Sequence, residues 1–168
     1  MAQVEHILNA VVAIISPDLF EAGSQAMDAV KEMALHENSS LWKSIFSAMA
    51  VIVNRETPKH RDSGGALSHP DLLVSAGEHT GAELRLPDVG TVLEYNPGTA
   101  VLIAGRALAH AVPRTWSGDR VCIAHYVKDK VHNRLGISRP RLVNLKDYDA
   151  MKAPGYLRRV DRGNSESR

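Results

Sequence analysis

A single cysteine, Cys122, stands among the 168 residues, so no internal disulfide can form. That excludes the stapled frameworks of small secreted domains and points to a reducing intracellular compartment. The chain also lacks a long hydrophobic run. Its apolar stretch from Ile7 to Ile15 is too short to cross a bilayer, so no membrane association is expected. That stretch follows Glu5 and His6 rather than a basic segment, which makes it a poor signal peptide. Net charge is only +1, so the chain as a whole does not attract polyanions. There is no internal repeat and no long low-complexity segment.

What the chain does have is enough apolar material, 44% of residues, for one domain with a real core. Its charge is unevenly spread. From Arg134 onward nine Arg and Lys residues stand against four Asp and Glu, so the remainder is acidic. We read residues 1–145 as one domain and 146–168 as a basic, flexible tail. Phosphate contacts from such a tail would make nucleic-acid binding salt-dependent.

Apolar positions at Val4, Ile7, Leu8, Val11, Val12 and Ile15 have helical spacing. Ser16, Pro17 and Asp18 then form a helix start: a capping hydroxyl, a proline for the first turn and an acid at the positive dipole end. Leu19, Phe20, Met27, Val30, Met33 and Ala34 predict a second helix ending near His36. The two helices, within residues 3–36, read as packing elements. The pattern changes after Ser40. Residues 45–54, 71–76, 82–86, 91–95, 99–105, 108–112 and 120–127 read as short strands separated by Gly, Pro, Asn and Asp turns. The fold class predicted is α+β: a jelly-roll core over about 45–130 with N-terminal helices packed against it.

The most informative chemistry lies in His60-Arg61-Asp62. Two imidazoles and one carboxylate hold Fe(II) on one face of an octahedron and leave the opposite positions open. In extended chain, residues two apart project from the same face, so His60 and Asp62 can share an ion. The same tripeptide occurs in the kinase catalytic loop, but that loop needs an Asn five residues after the Asp, and here Leu67 stands there. The third ligand could be His69, His79, His110, His125 or His132. His110 stands near a strand end, just before Pro113 and ten residues ahead of Arg120. Along the last strand Arg120, Cys122, Ala124 and Tyr126 share one face, and Val121, Ile123, His125 and Val127 the other. A guanidinium and an aromatic ring with two small residues between them suit the floor of a pocket. The plainer reading pairs Arg120 with Asp119 or Glu94 at the surface and makes Tyr126 ordinary core.

Several stretches together resemble one family. They are Val53-Asn54-Arg55-Glu56-Thr57-Pro58-Lys59-His60-Arg61-Asp62, Leu72-Leu73-Val74-Ser75, Leu84-Arg85-Leu86-Pro87, Tyr95-Asn96-Pro97-Gly98-Thr99 and His125-Tyr126-Val127-Lys128-Asp129. Between about Ile45 and Asn144 the chain looks like the TET/JBP group of Fe(II)- and 2-oxoglutarate-dependent nucleic-acid dioxygenases, in particular its expanded fungal branch. The resemblance implies a double-stranded β-helix (jelly-roll) core. It implies His60, Asp62 and His110 as the iron ligands and Arg120 as the fork for the distal carboxylate of 2-oxoglutarate. Arg55 matches a position near the cosubstrate or base, and Tyr126 one that stacks on a flipped base. Lys128 or Asp129 falls where the family reads the base edge. The chain departs from the pattern in a short N-terminal part and in lacking the Cys-rich region of animal members, as a fragment, short isoform or degenerate copy would.

The resemblance implies an enzyme that uses Fe(II), 2-oxoglutarate and O2 to oxidise a methyl group on a nucleobase. The base expected is 5-methylcytosine, with N6-methyladenine as the other candidate, in DNA rather than RNA. A nuclear monomer is the matching expectation. A same-fold dioxygenase acting on a protein or small molecule, and a non-catalytic nucleic-acid-binding module, are the alternatives.

Overall fold

The computed structural model describes residues 2–33 and 41–142. Eight strands form two four-stranded antiparallel sheets: β1 (Ala48–Val53), β8 (Ser117–Tyr126), β3 (Asp71–Thr80) and β6 (Ala100–Ile103) in one, and β2 (Thr57–His60), β7 (His110–Val112), β4 (Glu83–Leu86) and β5 (Thr91–Glu94) in the other. The chain passes from one sheet to the other after nearly every strand. Only β4 and β5 are consecutive neighbours, joined around a 3-10 turn at Pro87–Val89. This is the jelly-roll order, and the predicted core is present.

Helices α1 (Ala2–Ile15) and α2 (Pro17–Glu32) precede the sheets. Alternation along the strands divides the core in two. Leu72 of β3 packs toward the helices with Leu8, Val12, Leu19, Ile45 and Phe46. Leu73, one residue on, joins the inter-sheet cluster of Leu84, Tyr95, Val112, Trp116 and Cys122. Each fully buried large apolar side chain contributes roughly 1.5–3 kcal/mol by leaving water. A side-chain contact links the layers: Glu5 of α1 reaches Nε2 of buried His125 at 3.0 Å.

Several expectations need adjustment. Of the six apolar positions that predicted α1, only Leu8 and Val12 are buried; Val4, Ile7, Val11 and Ile15 face outward. Ser16 occupies the N-cap position of α2 without a side-chain capping bond, so Pro17 at the first position and Asp18 in the first turn are the parts of the start signal that hold. That helix stops at Glu32, and its expected continuation to His36 runs into residues 34–40, outside the described ones. The expected tail, 146–168, also lies outside them. Strand β2 was not expected, because Thr-Pro-Lys-His has no apolar alternation; its pairing with β7 makes it a strand. Helix α3 (Asp129–Leu135) was missed too, although Asp129 in its first turn and Gly136 in the left-handed conformation just after it are ordinary start and stop signals.

Candidate metal centre

Strand β2 ends at His60, which is directly opposite His110 at the start of β7. The two rings are 4.3 Å apart between centroids. Asp62 follows two residues later and is fixed by its backbone N–H, which donates to the Gly105 carbonyl at 3.0 Å. Its carboxylate lies between the two rings, with His60 Nε2 at 3.3 Å from Oδ1 and His110 Nε2 at 3.7 Å from Oδ2. One ligand atom from each of the three residues lies within 4.8 Å of the others.

The imidazoles are also in the right tautomer. His60 Nδ1 is 2.9 Å from the Pro58 carbonyl, and His110 Nδ1 is 3.1 Å from the Leu108 carbonyl. A carbonyl oxygen can only accept, so each Nδ1 carries a proton, which in the neutral ring leaves the Nε2 lone pair free for a metal ion on the side of the carboxylate. Backbone carbonyls that lock ring orientation in this way are the usual outer support of metal-binding histidines. Two neutral imidazole nitrogens and one carboxylate converging on a common point fit a ferrous ion.

Of the five histidines that could have completed the set, His110 does so. His69 and His132 stack on each other, 4.5 Å between centroids, and both are buried. Nε2 of His79 donates to the Tyr95 carbonyl at 3.1 Å, and His125 is held by Glu5 and the Leu72 carbonyl.

Next to the triad is a cavity of about 330 Å³ lined by Arg55, His60, Asp62, His110, Arg120, Tyr126 and Lys128 among others. The predicted face of β8 is its wall: Arg120, Cys122, Ala124 and Tyr126 all line it. Arg120 is not a surface ion-pair residue. It is 1% exposed, its guanidinium lies over the rings of Tyr95 and Trp116 at 5.2 and 5.1 Å, and no described residue accepts from its Nε or Nη1. A buried guanidinium with unmatched N–H donors is costly unless an anion meets it. A carboxylate in the cavity would do so, which is the fit that 2-oxoglutarate requires. Asp129 is different. It opens α3 outside the cavity lining, and Arg139 grips its carboxylate and holds it below the usual carboxylate range.

Sequence reasoning missed four contributors. Gly105 leaves space for the ligand: a Cβ there would collide with the Asp62 carboxylate and come within 3.0 Å of the Asp71 carboxylate. Asp71 starts β3 beside Asp62, and burial followed by that neighbouring carboxylate pushes it up to about 8. Tyr95 is fully buried with its hydroxyl 3.5 Å from Cys122 Sγ, and burial pushes its phenol well up. Of these, the turn sequence Tyr95-Asn96-Pro97-Gly98 was read for its turn and not for its ring. Asn54 was also passed over. It adopts a left-handed φ of 48° and receives the Arg120 backbone N–H at 2.7 Å, so the turn that leads into β2 also holds the arginine strand.

Comparison with known proteins agrees with this geometry. The family model Tet_JBP, the oxygenase domain of the 2OGFeDO superfamily, matches residues 1–129, so the match begins in α1 rather than at Ile45. Among solved structures, NgTET1 in complex with 5mC DNA superposes with a TM-score of 0.57 at 15% identity, over 76% of this chain and 48% of that one. The chain therefore spans about half the length of that relative. A Cupin 2 conserved barrel domain protein from Salinispora arenicola (TM-score 0.33, 12% identity, 52% of this chain and 68% of that one) and the polyketide cyclase RemF from Streptomyces resistomycificus (0.33, 16%, 66% and 70%) are more distant. No curated protein matches the sequence.

Proposed function

The chain belongs to the Tet_JBP oxygenase family, whose superfamily uses Fe(II), 2-oxoglutarate and O2, and on that premise we propose that it oxidises a methyl group on a nucleobase in DNA, 5-methylcytosine first and N6-methyladenine second. The observation that carries this reading is the convergence of His60, Asp62 and His110 beside a cavity with the buried Arg120 in its wall. Bound by those three residues, iron would supply the site at which 2-oxoglutarate and dioxygen react. The residues do the rest. His60 and His110 present lone pairs already oriented by Pro58 and Leu108, so little reorganisation is needed. Arg120 anchors a carboxylate from below and keeps the cosubstrate in one orientation. Ala50, Ile52, Leu73 and Ala124 give the cavity apolar walls that limit water.

Nucleic acid as the substrate rests on the rim. Arg55 and Lys128 are exposed, line the cavity and carry charge suited to phosphate. Tyr126 lines the cavity half-buried, as a stacking platform for an extruded base requires. Extrusion costs a few kcal/mol, and stacking on an aromatic ring returns roughly 1–3 kcal/mol. The solved relative NgTET1 is described with 5mC DNA, which favours DNA and cytosine over the alternatives. A DNA substrate in turn favours a nuclear location.

Duplex oligonucleotides carrying 5-methylcytosine or N6-methyladenine, incubated with the chain, Fe(II), ascorbate and 2-oxoglutarate, decide the matter by mass spectrometry of bases and succinate. Oxidised base is expected with the parent and not with His60→Ala/Asp62→Ala. Succinate without oxidised base would assign the chain to a protein or small-molecule substrate. DNA binding without succinate would make it a non-catalytic module.

A further inference from the structure

The residue between the two early ligands is not a spacer. Arg61 Nη2 donates to Oδ2 of Asp88 at 2.9 Å, and its Nε donates to the Ala107 carbonyl at 3.1 Å. The same Asp88 oxygen accepts the backbone N–H of Ala109 at 2.6 Å. Ala107 and Ala109 flank Leu108, whose carbonyl orients His110, and Ala109 directly precedes His110. Thus one guanidinium and one carboxylate connect the segment bearing His60 and Asp62 to the segment that delivers and aligns the third ligand. Asp88 comes from a third place, the turn Pro87–Val89 between β4 and β5.

We propose that Arg61 and Asp88 form a positioning clip that sets the separation of the early and late ligands and so governs metal affinity; this rests on the reading that His60, Asp62 and His110 hold the ion. Stability alone does not account for the arrangement. The Arg61 side chain is 55% exposed and that of Asp88 33%, and ion pairs this open to water contribute little to folding. The effect of the clip lies in geometry. Its carboxylate is shared between a side chain on one ligand segment and a backbone N–H on the other, so the two segments cannot slide apart without breaking one of these bonds and the direct Arg61–Ala107 bond as well. Strand pairing alone leaves room for such sliding, because the β2–β7 register shifts between Thr57 and His60. The clip closes the pair just beyond the His60–His110 match, on the side away from that irregularity.

Co(II) is the probe, titrated into the full chain and read by calorimetry and by its visible absorption, with thermal unfolding measured in parallel. Asp88→Ala and Arg61→Ala should each weaken Co(II) binding about 10- to 100-fold, as loss of outer support does at other metal sites, and alter the Co(II) spectrum. Their unfolding temperatures without metal should stay near the parent's. The double variant should be little worse than either single one, because both remove one device. Glu83→Ala, which breaks the exposed pair between Glu83 and Arg85 on β4, should leave Co(II) binding unchanged. If the parent binds Co(II) and Arg61→Ala binds it equally well with the same spectrum, the clip is overturned while the triad stands; that exposed position keeps the test decisive even if Asp88→Ala does not fold. If the parent fails to bind Co(II), the triad and the clip fall together.

Discussion

His60 and His110 are register partners across β2 and β7, fifty positions apart in the sequence and with ring centroids 4.3 Å apart. Hydrogen-bonded strand pairing therefore forms half of the metal centre before any ion arrives. Asp62, held by its own backbone bond to Gly105, adds the negative charge that two neutral imidazoles lack.

A centre formed in the fold in this way should stabilise the fold when loaded. Adding Fe(II) anaerobically, or Co(II) in air, should raise the unfolding temperature, and a chelator should reverse the rise. Metal at a hundred times its dissociation constant stabilises by about 2.7 kcal/mol. Asp62→Ala should lose the response and keep the unfolding temperature of the metal-free parent. An equal rise in that variant would show that the ion binds elsewhere.

Gly105 gives a sharper test because it carries no chemistry of its own. Its Cα faces the Asp62 carboxylate so closely that a single methyl group would strike it. Gly105→Ala should fold, since the nearest atoms it meets are the ends of the Asp62 and Asp71 side chains, yet bind metal about tenfold or more weakly and lose turnover in proportion. Unaltered metal affinity in Gly105→Ala would mean that Asp62 is not the ligand.

Arg120 separates cosubstrate binding from metal binding. Arg120→Leu should leave Co(II) affinity near the parent's and raise the KM for 2-oxoglutarate roughly 10- to 100-fold, the range for losing a charge-assisted pair. Arg120→Lys should recover only part, because one ammonium cannot form the planar fork and stacks less well between Tyr95 and Trp116. An unchanged KM in Arg120→Leu would remove this residue from the site.

How far these features could be read in advance depended on whether the signal was local. The alternation along β8 was enough to put Arg120 and Tyr126 on one wall, because period two is a property of the strand itself. The His60-x-Asp62 spacing was visible for the same reason. The choice of His110 among five histidines was not local. It depends on the pairing of β2 with β7, and β2 has no apolar pattern to announce it. Gly105 was invisible because its contribution is the volume it leaves empty, and Asp88 because it acts on two distant segments through one oxygen. Asp129 lies in the resembling stretch, and what the sequence did not show is that it opens a helix and pairs with Arg139.

The buried pair of His69 and His132 gives the fold its own acid sensitivity. Burial, reinforced by the neighbouring His132, lowers His69 to about 4 from an ordinary 6.5. Between those values the unfolded chain takes up a proton that the folded one refuses, so the contribution of His69 falls as pH drops from about 6.5 to about 4. The full loss is on the order of 3 kcal/mol. Asp71 acts with the opposite sign. Raised from 3.8 to about 8, it keeps its proton in the folded state while the unfolded chain loses it, so its contribution falls as pH rises through that window. The two slopes oppose each other below about 6.5, and only that of Asp71 remains above it. Between about 4 and 6.5 the two slopes nearly cancel, so denaturant unfolding of the metal-free chain should show stability almost level there and falling as pH rises from about 6.5 to about 8, whereas His69→Phe, left with the Asp71 slope alone, should lose stability steadily from about pH 4 upward. His132 lies against His69 and still meets a ring in that variant, so the packing is largely kept. If His69→Phe is as level as the parent between about pH 4 and 6.5, His69 is not the group that opposes Asp71.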